Sequence, residues 1–149
     1  MSDQDCISKL IQIASDNTQL INAQHVAAKK LLDYDGEKYP SDGCAITLLV
    51  LLQEAGISVS DTFMAFDLGN ILKGRGWTVI PLSDAEAGDV GSTCGAEPDH
   101  GVDHIYLLLK PVNGDEMVVA DNQAPAPHFR WLSGLGGKSP TKFLLRAPA

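Results

Sequence analysis

Apolar residues recur at helical spacing from about Asp5 to Leu32: Ile7, Leu10, Ile11 and Ala14, then Ile21, Val26, Ala27, Leu31 and Leu32. A period near 3.6 places such residues on one face of a helix. Asp16-Asn17 interrupts the pattern, so the segment reads as two helices. Asp33 to Gly43 is polar and turn-rich and reads as a loop. Cys44 to Leu52 is apolar nearly all round, which predicts a helix buried on most sides. A buried strand competes, but length and flanking residues favour the helix: Ser41 or Asp42 as N-cap and Gly56 as stop. Phe63 to Lys73 reads as a further helix, ended by Gly74-Arg75-Gly76 and followed by a short strand, Trp77 to Ile80.

The second half changes character. Gly88-Asp89-Val90 opens a strand. His104 to Lys110 is a strand, Asn113-Gly114 a hairpin turn, and Met117 to Ala120 the returning strand. Phe129 to Leu132 and Phe143 to Arg146 read as the last strands. Helices first and antiparallel strands after predict an α+β fold, in one domain over residues 1–149.

Composition adds exclusions. A chain of 149 residues with 44% hydrophobic content can bury a core without staples. Nineteen acids against eleven bases give a net charge of −8. That argues against nucleic acid and against an anionic membrane surface as partners. No apolar run reaches the length of a membrane span. Met1-Ser2-Asp3-Gln4-Asp5 lacks the basic-then-apolar pattern of a signal peptide, so synthesis in the cytoplasm is expected. Three cysteines cannot all pair, and free thiols are the expectation for Cys6, Cys44 and Cys94. No CxxC pair or close His/Cys set points to structural zinc, and no cofactor is expected.

Cys44 stands out by position. At the first turn of a buried helix, the dipole and the free N–H groups favour a thiolate. The same N–H groups can hold an oxyanion. The alternative is a small buried hydrophobe. His104 heads an apolar strand, where an imidazole needs a partner or a role. With Asn113 and Gly114 as the central turn residues, Val112 faces Asp115, Tyr106 faces Asp121 and His104 faces Gln123. Asp121 and Gln123 then share the face of His104, and Asp121 can accept the Nδ1 proton of His104 and orient the ring toward Cys44.

This order resembles the papain-like amidohydrolases of bacterial cell walls, the CHAP and NlpC groups. It comprises a cysteine opening a buried helix, a Gly-Asp-Val strand start, a histidine opening the next strand, and an acid with an amide two positions on. In the CHAP pattern Cys44, His104, Asp121 and Gln123 fill the catalytic places. The resemblance spans roughly Asp33 to Gln123. It implies a papain-like fold, N-terminal helices on an antiparallel sheet, and hydrolysis of amide bonds in the peptide part of peptidoglycan. With no signal-peptide pattern and no separate wall-binding domain, a lytic enzyme of this kind is expected to use a specialised route, such as a phage holin or a contact-dependent secretion system, with a delivery or immunity partner. The chain departs from the pattern in three places. Ala45-Ile46-Thr47 follows the cysteine where NlpC members have Ser-Gly-Phe. No aromatic residue follows soon after it, as one often does in CHAP. Gln123 replaces the more usual Asn. Cleavage or deamidation of a host protein, and a non-enzymatic role as an acidic partner of a basic toxin, therefore stay open.

Asp35, Glu37, Tyr39 and Ser41 resemble the calcium loop of some phage CHAP domains, although Ser41 and Ile46 stand where stronger ligands are expected. A solvated acidic loop is the other reading, and Tyr34 or Tyr39 could line the cleft instead. His100 reads as exposed, Cys6 and Cys94 as structural, with Cys94 in an exposed loop. His25 lies in the helical region, and His128-Phe129-Arg130-Trp131 reads as core or as a groove wall. Leu135 to Ser139 lacks the spacing of a phosphate loop, which rejects nucleotide binding.

Overall fold

The computed structural model describes all residues, Met1–Ala149. After a single 3₁₀ turn over Gln4–Cys6 come α1 (Ile7–Ser15), α2 (Asn17–Asp35), α3 (Cys44–Glu54) and α4 (Ala65–Gly74). The strands are β1 (Thr78–Ile80), β2 (Val90–Ser92), β3 (Ile105–Asn113), β4 (Glu116–Ala120), β5 (His128–Trp131) and β6 (Phe143–Arg146). They form one antiparallel sheet in the order β1-β6-β2-β3-β4-β5. The α+β expectation holds, with four helices packed on the sheet.

Asp16 breaks the first helical segment, as its short acidic side chain predicts. Its carboxylate accepts from the Gln19 N–H at 3.0 Å and caps α2. α2 runs to Asp35, three residues into the expected loop, and stops at Gly36, whose φ of 77° suits a residue without Cβ. α3 is the core helix. Every residue from Cys44 to Leu52 is buried, against α1, α2, α4 and β3. Its N-cap is Gly43 with no side-chain cap, in place of the expected Ser41 or Asp42. Thr47 instead bonds the Gly43 carbonyl at 2.7 Å and the Tyr39 hydroxyl at 2.8 Å.

Alternation along β3 divides the apolar residues between two faces. Ile105, Leu107 and Leu109 join the core beneath the helices. Tyr106 and Leu108 form a second cluster with Met117, Val119 and Leu144 on the other face. The β3–β4 turn is centred on Gly114-Asp115, not on Asn113-Gly114, because Asn113 pairs with Glu116. Two irregularities, at Leu108/Lys110 and Pro111/Asn113, each spend an extra residue of β3. They restore at the far end the register that the shifted turn would have lost: Leu107 pairs with Ala120, so Asp121 follows opposite the start of β3.

Candidate active site

Cys44 and His104 open into one cavity of about 330 Å³. Its other lining residues come from the loop before α3 (Pro40, Ser41, Asp42), from the loop before β3 (Gly101, Val102, Asp103) and from the end of β4 (Asn122, Gln123). A smaller apolar recess with Phe63, Met64 and Phe66 adjoins it and shares Asp42, Cys44, Gly101 and Asp103. The nucleophile candidate thus lies between a polar wall and an apolar one. Asp42, next to the N-cap, has a φ of 55°, uncommon for a residue with a side chain. Its carboxylate lies 3.4 Å from the ring of the exposed His100.

The carboxylate–imidazole part is complete. His104 Nε2 lies 2.8 Å from Asp121 Oδ2, with both side chains buried. The bonded nitrogen is Nε2, which corrects the expectation of Nδ1. An acceptor on Nε2 places the proton there in the neutral ring, so Nδ1 keeps the lone pair that a general base needs. Burial works against the charge on Asp121. Hydrogen bonds from His104 and His128 outweigh it and hold the carboxyl well below its ordinary range.

Cys44 departs from expectation. Burial pushes its thiol up to about 11, against the pull of the Ile105 and Ala45 N–H groups, while Cys94 and Asp121 add to the rise. The helix-end environment does not make a resting thiolate, because only 8% of the residue meets water. The sulfur lies 3.8 Å from the Asp103 carbonyl oxygen and makes no hydrogen bond to the imidazole. Proton transfer to His104 therefore requires the S–H to turn away from that carbonyl.

Gln123 is exposed and lines the cavity. Its backbone N–H donates to Asp121 Oδ1 at 2.8 Å, a holding role that the sequence reading did not assign. Three further residues went unassigned. His128 Nε2 lies 2.8 Å from Asp121 Oδ1, so two histidines grip one carboxylate. Gln24 of α2 donates to the Asp121 carbonyl at 2.9 Å and the Ala124 carbonyl at 2.7 Å, tying the end of β4 to the helical layer. Asn122 donates to the Pro40 carbonyl at 2.7 Å and joins the two walls of the cavity. Gln24 carried a signal: it is a polar residue on the stripe of Leu20, Ala23, Ala27 and Leu31.

Other expectations resolve simply. Neither tyrosine lines the cavity. Tyr39 lies under the loop, bonded to Thr47, and Tyr34 stacks on Phe63 at 3.9 Å between centroids. Asp35 bonds the Glu37 N–H at 3.0 Å, and Ile46 is core. No three His, Cys, Asp or Glu side chains converge as a metal-ligand cluster. Cys94 is buried, not exposed, and Cys6 is buried against Met1. Comparison with family models, curated proteins and solved structures finds no match to this chain.

Proposed function

We propose that this protein is a cysteine amidohydrolase of papain-like type that cleaves amide bonds in the peptide part of bacterial peptidoglycan. The observation that carries the reading is the shared cavity. A cysteine at the head of α3 opens into it, as does an imidazole whose Nε2 is held by a buried carboxylate. That places a base of fixed tautomer and a candidate nucleophile on the same cavity. The peptidoglycan substrate rests on the resemblance to the CHAP and NlpC order.

In this mechanism Nδ1 of His104 takes the Cys44 proton as the sulfur attacks the amide carbonyl carbon. The carbonyl oxygen becomes an oxyanion and accepts from the Cys44 N–H and the Gln123 side chain. His104 then gives its proton to the leaving amine, the C–N bond breaks, and a thioester remains. A water, deprotonated by His104, attacks the thioester carbonyl; the carboxylic acid leaves and Cys44 regains its proton. Because the thiol starts neutral, His104 acts as a true general base and not as half of a preformed ion pair.

The test is digestion of purified sacculi. Muropeptides with new amine termini, lost in Cys44→Ala and in His104→Ala, are the expected result. Inert sacculi alongside a Cys44-dependent change in a host protein would move the substrate class. A Cys44→Ala protein as active as wild type would end the hydrolase reading.

A further inference from the structure

We propose that His128 is a positioning residue for this site: it holds the second oxygen of the Asp121 carboxylate and takes the proton that this carboxylate would otherwise draw onto His104. The catalytic meaning rests on the hydrolase reading, whereas the sharing of one carboxylate by two imidazoles stands on geometry.

The Asp121 side chain is fully buried and receives three donors: His104 Nε2 on Oδ2, and His128 Nε2 and the Gln123 N–H on Oδ1, each at 2.8 Å. One buried negative charge matches one cation. Two neutral rings leave it uncompensated, and two imidazoliums leave an excess positive charge, both costly in a dry site. The first proton therefore goes to the ring where a cation costs less. The His128 side chain is 25% exposed and that of His104 is 9% exposed, so water favours the charge on His128.

The charged groups facing His128 do not reverse this order. Asp121, at the end of β4, supports the cation at hydrogen-bond distance. Lys138, from the segment after β5, opposes it from farther away. Arg130, two positions along the same strand, lies over the Tyr106 ring at 5.1 Å and donates to the Ser139 carbonyl. Val119, paired with His128 on β4, is apolar. With the carboxylate's charge met by His128, His104 donates from Nε2 to Asp121 and leaves Nδ1 as the nitrogen available to Cys44.

The experiment follows both rings of the whole chain, labelled with ¹⁵N-histidine, by long-range ¹H–¹⁵N spectra across pH. In the wild type, the ring of His128 should become cationic first as pH falls. A first proton on His104 overturns the proposal, and this readout needs no variant to fold. In His128→Gln, which keeps a donor but not a charge, the ring of His104 should become cationic at higher pH than in wild type. An unmoved His104 titration also overturns the proposal. The acid limb of the kcat/KM profile on sacculi should move with it. A wild type inert on sacculi would sink the substrate reading and leave the spectra to judge His128.

Discussion

At the residue scale, Cys44 shows two opposed effects of one location. The head of a helix offers N–H groups to an anion, but the head of a buried helix also withdraws the anion from water. Desolvation wins, and the thiol is pushed up to about 11. Alkylation of Cys44 by iodoacetamide at pH 7 should therefore depend on His104. His104→Ala should slow it by about tenfold or more, with recovery only on the alkaline side. Equal rates in the two proteins at pH 7 would show that the imidazole takes no proton from the sulfur. Asp121→Asn keeps an oxygen for His104 Nε2 but removes the charge. It should lower kcat/KM by about a hundredfold or more with little change in folded structure, read by turnover beside near-UV circular dichroism.

At the element scale, the site depends on strand ends being placed to within one residue. The central strand β2 approaches β3 closely at Gly91: a Cβ there would run into the Tyr106 ring, which is itself fully buried. Gly91→Ala should destabilise by about 1–3 kcal/mol through overpacking, measured by urea denaturation. An unchanged midpoint would mean that Tyr106 has room to move. At the sheet's other end, Arg146 of β6 grips the buried Asp89 through Nε and a terminal nitrogen, both at 2.9 Å. Arg146→Met should cost about 2–3 kcal/mol by leaving that carboxylate without its charged donors. The same denaturation series tests this, and a loss below about 0.5 kcal/mol would count against it.

For the whole molecule, the grip of two histidines on Asp121 makes stability depend on pH. The Asp121 carboxyl lies below its ordinary range, so its contribution is present above its unfolded value near 3.8 and is lost as pH falls below that. His128 titrates above its ordinary value, chiefly through its bond to Asp121. Its contribution is full below about 6.5 and is lost as pH rises through the folded value. Thermal melts across pH should show wild type losing stability below about pH 4 more steeply than Asp121→Asn. Parallel curves for the two proteins would deny the carboxylate this role.

The sequence by itself determined the elements and their order. Periodicity separates the helical half from the strands, the short polar Asp16 breaks α1 from α2, and the length and flanking residues of the apolar run from Ala45 favour a buried helix over a strand. It also placed Cys44 at a helix head and His104 at a strand start, since both follow from local pattern. Only the tertiary structure decided how they meet. The turn lies one residue beyond the Asn-Gly pair, and two bulges in β3 bring Asp121 back to the expected pairing, which no local signal encodes. Nor could the pattern reveal His128 on Asp121, because β5 reaches it through long-range strand pairing. The protonation of Cys44 was likewise beyond it, since a pKa depends on how much water surrounding elements exclude, and that is a property of packing.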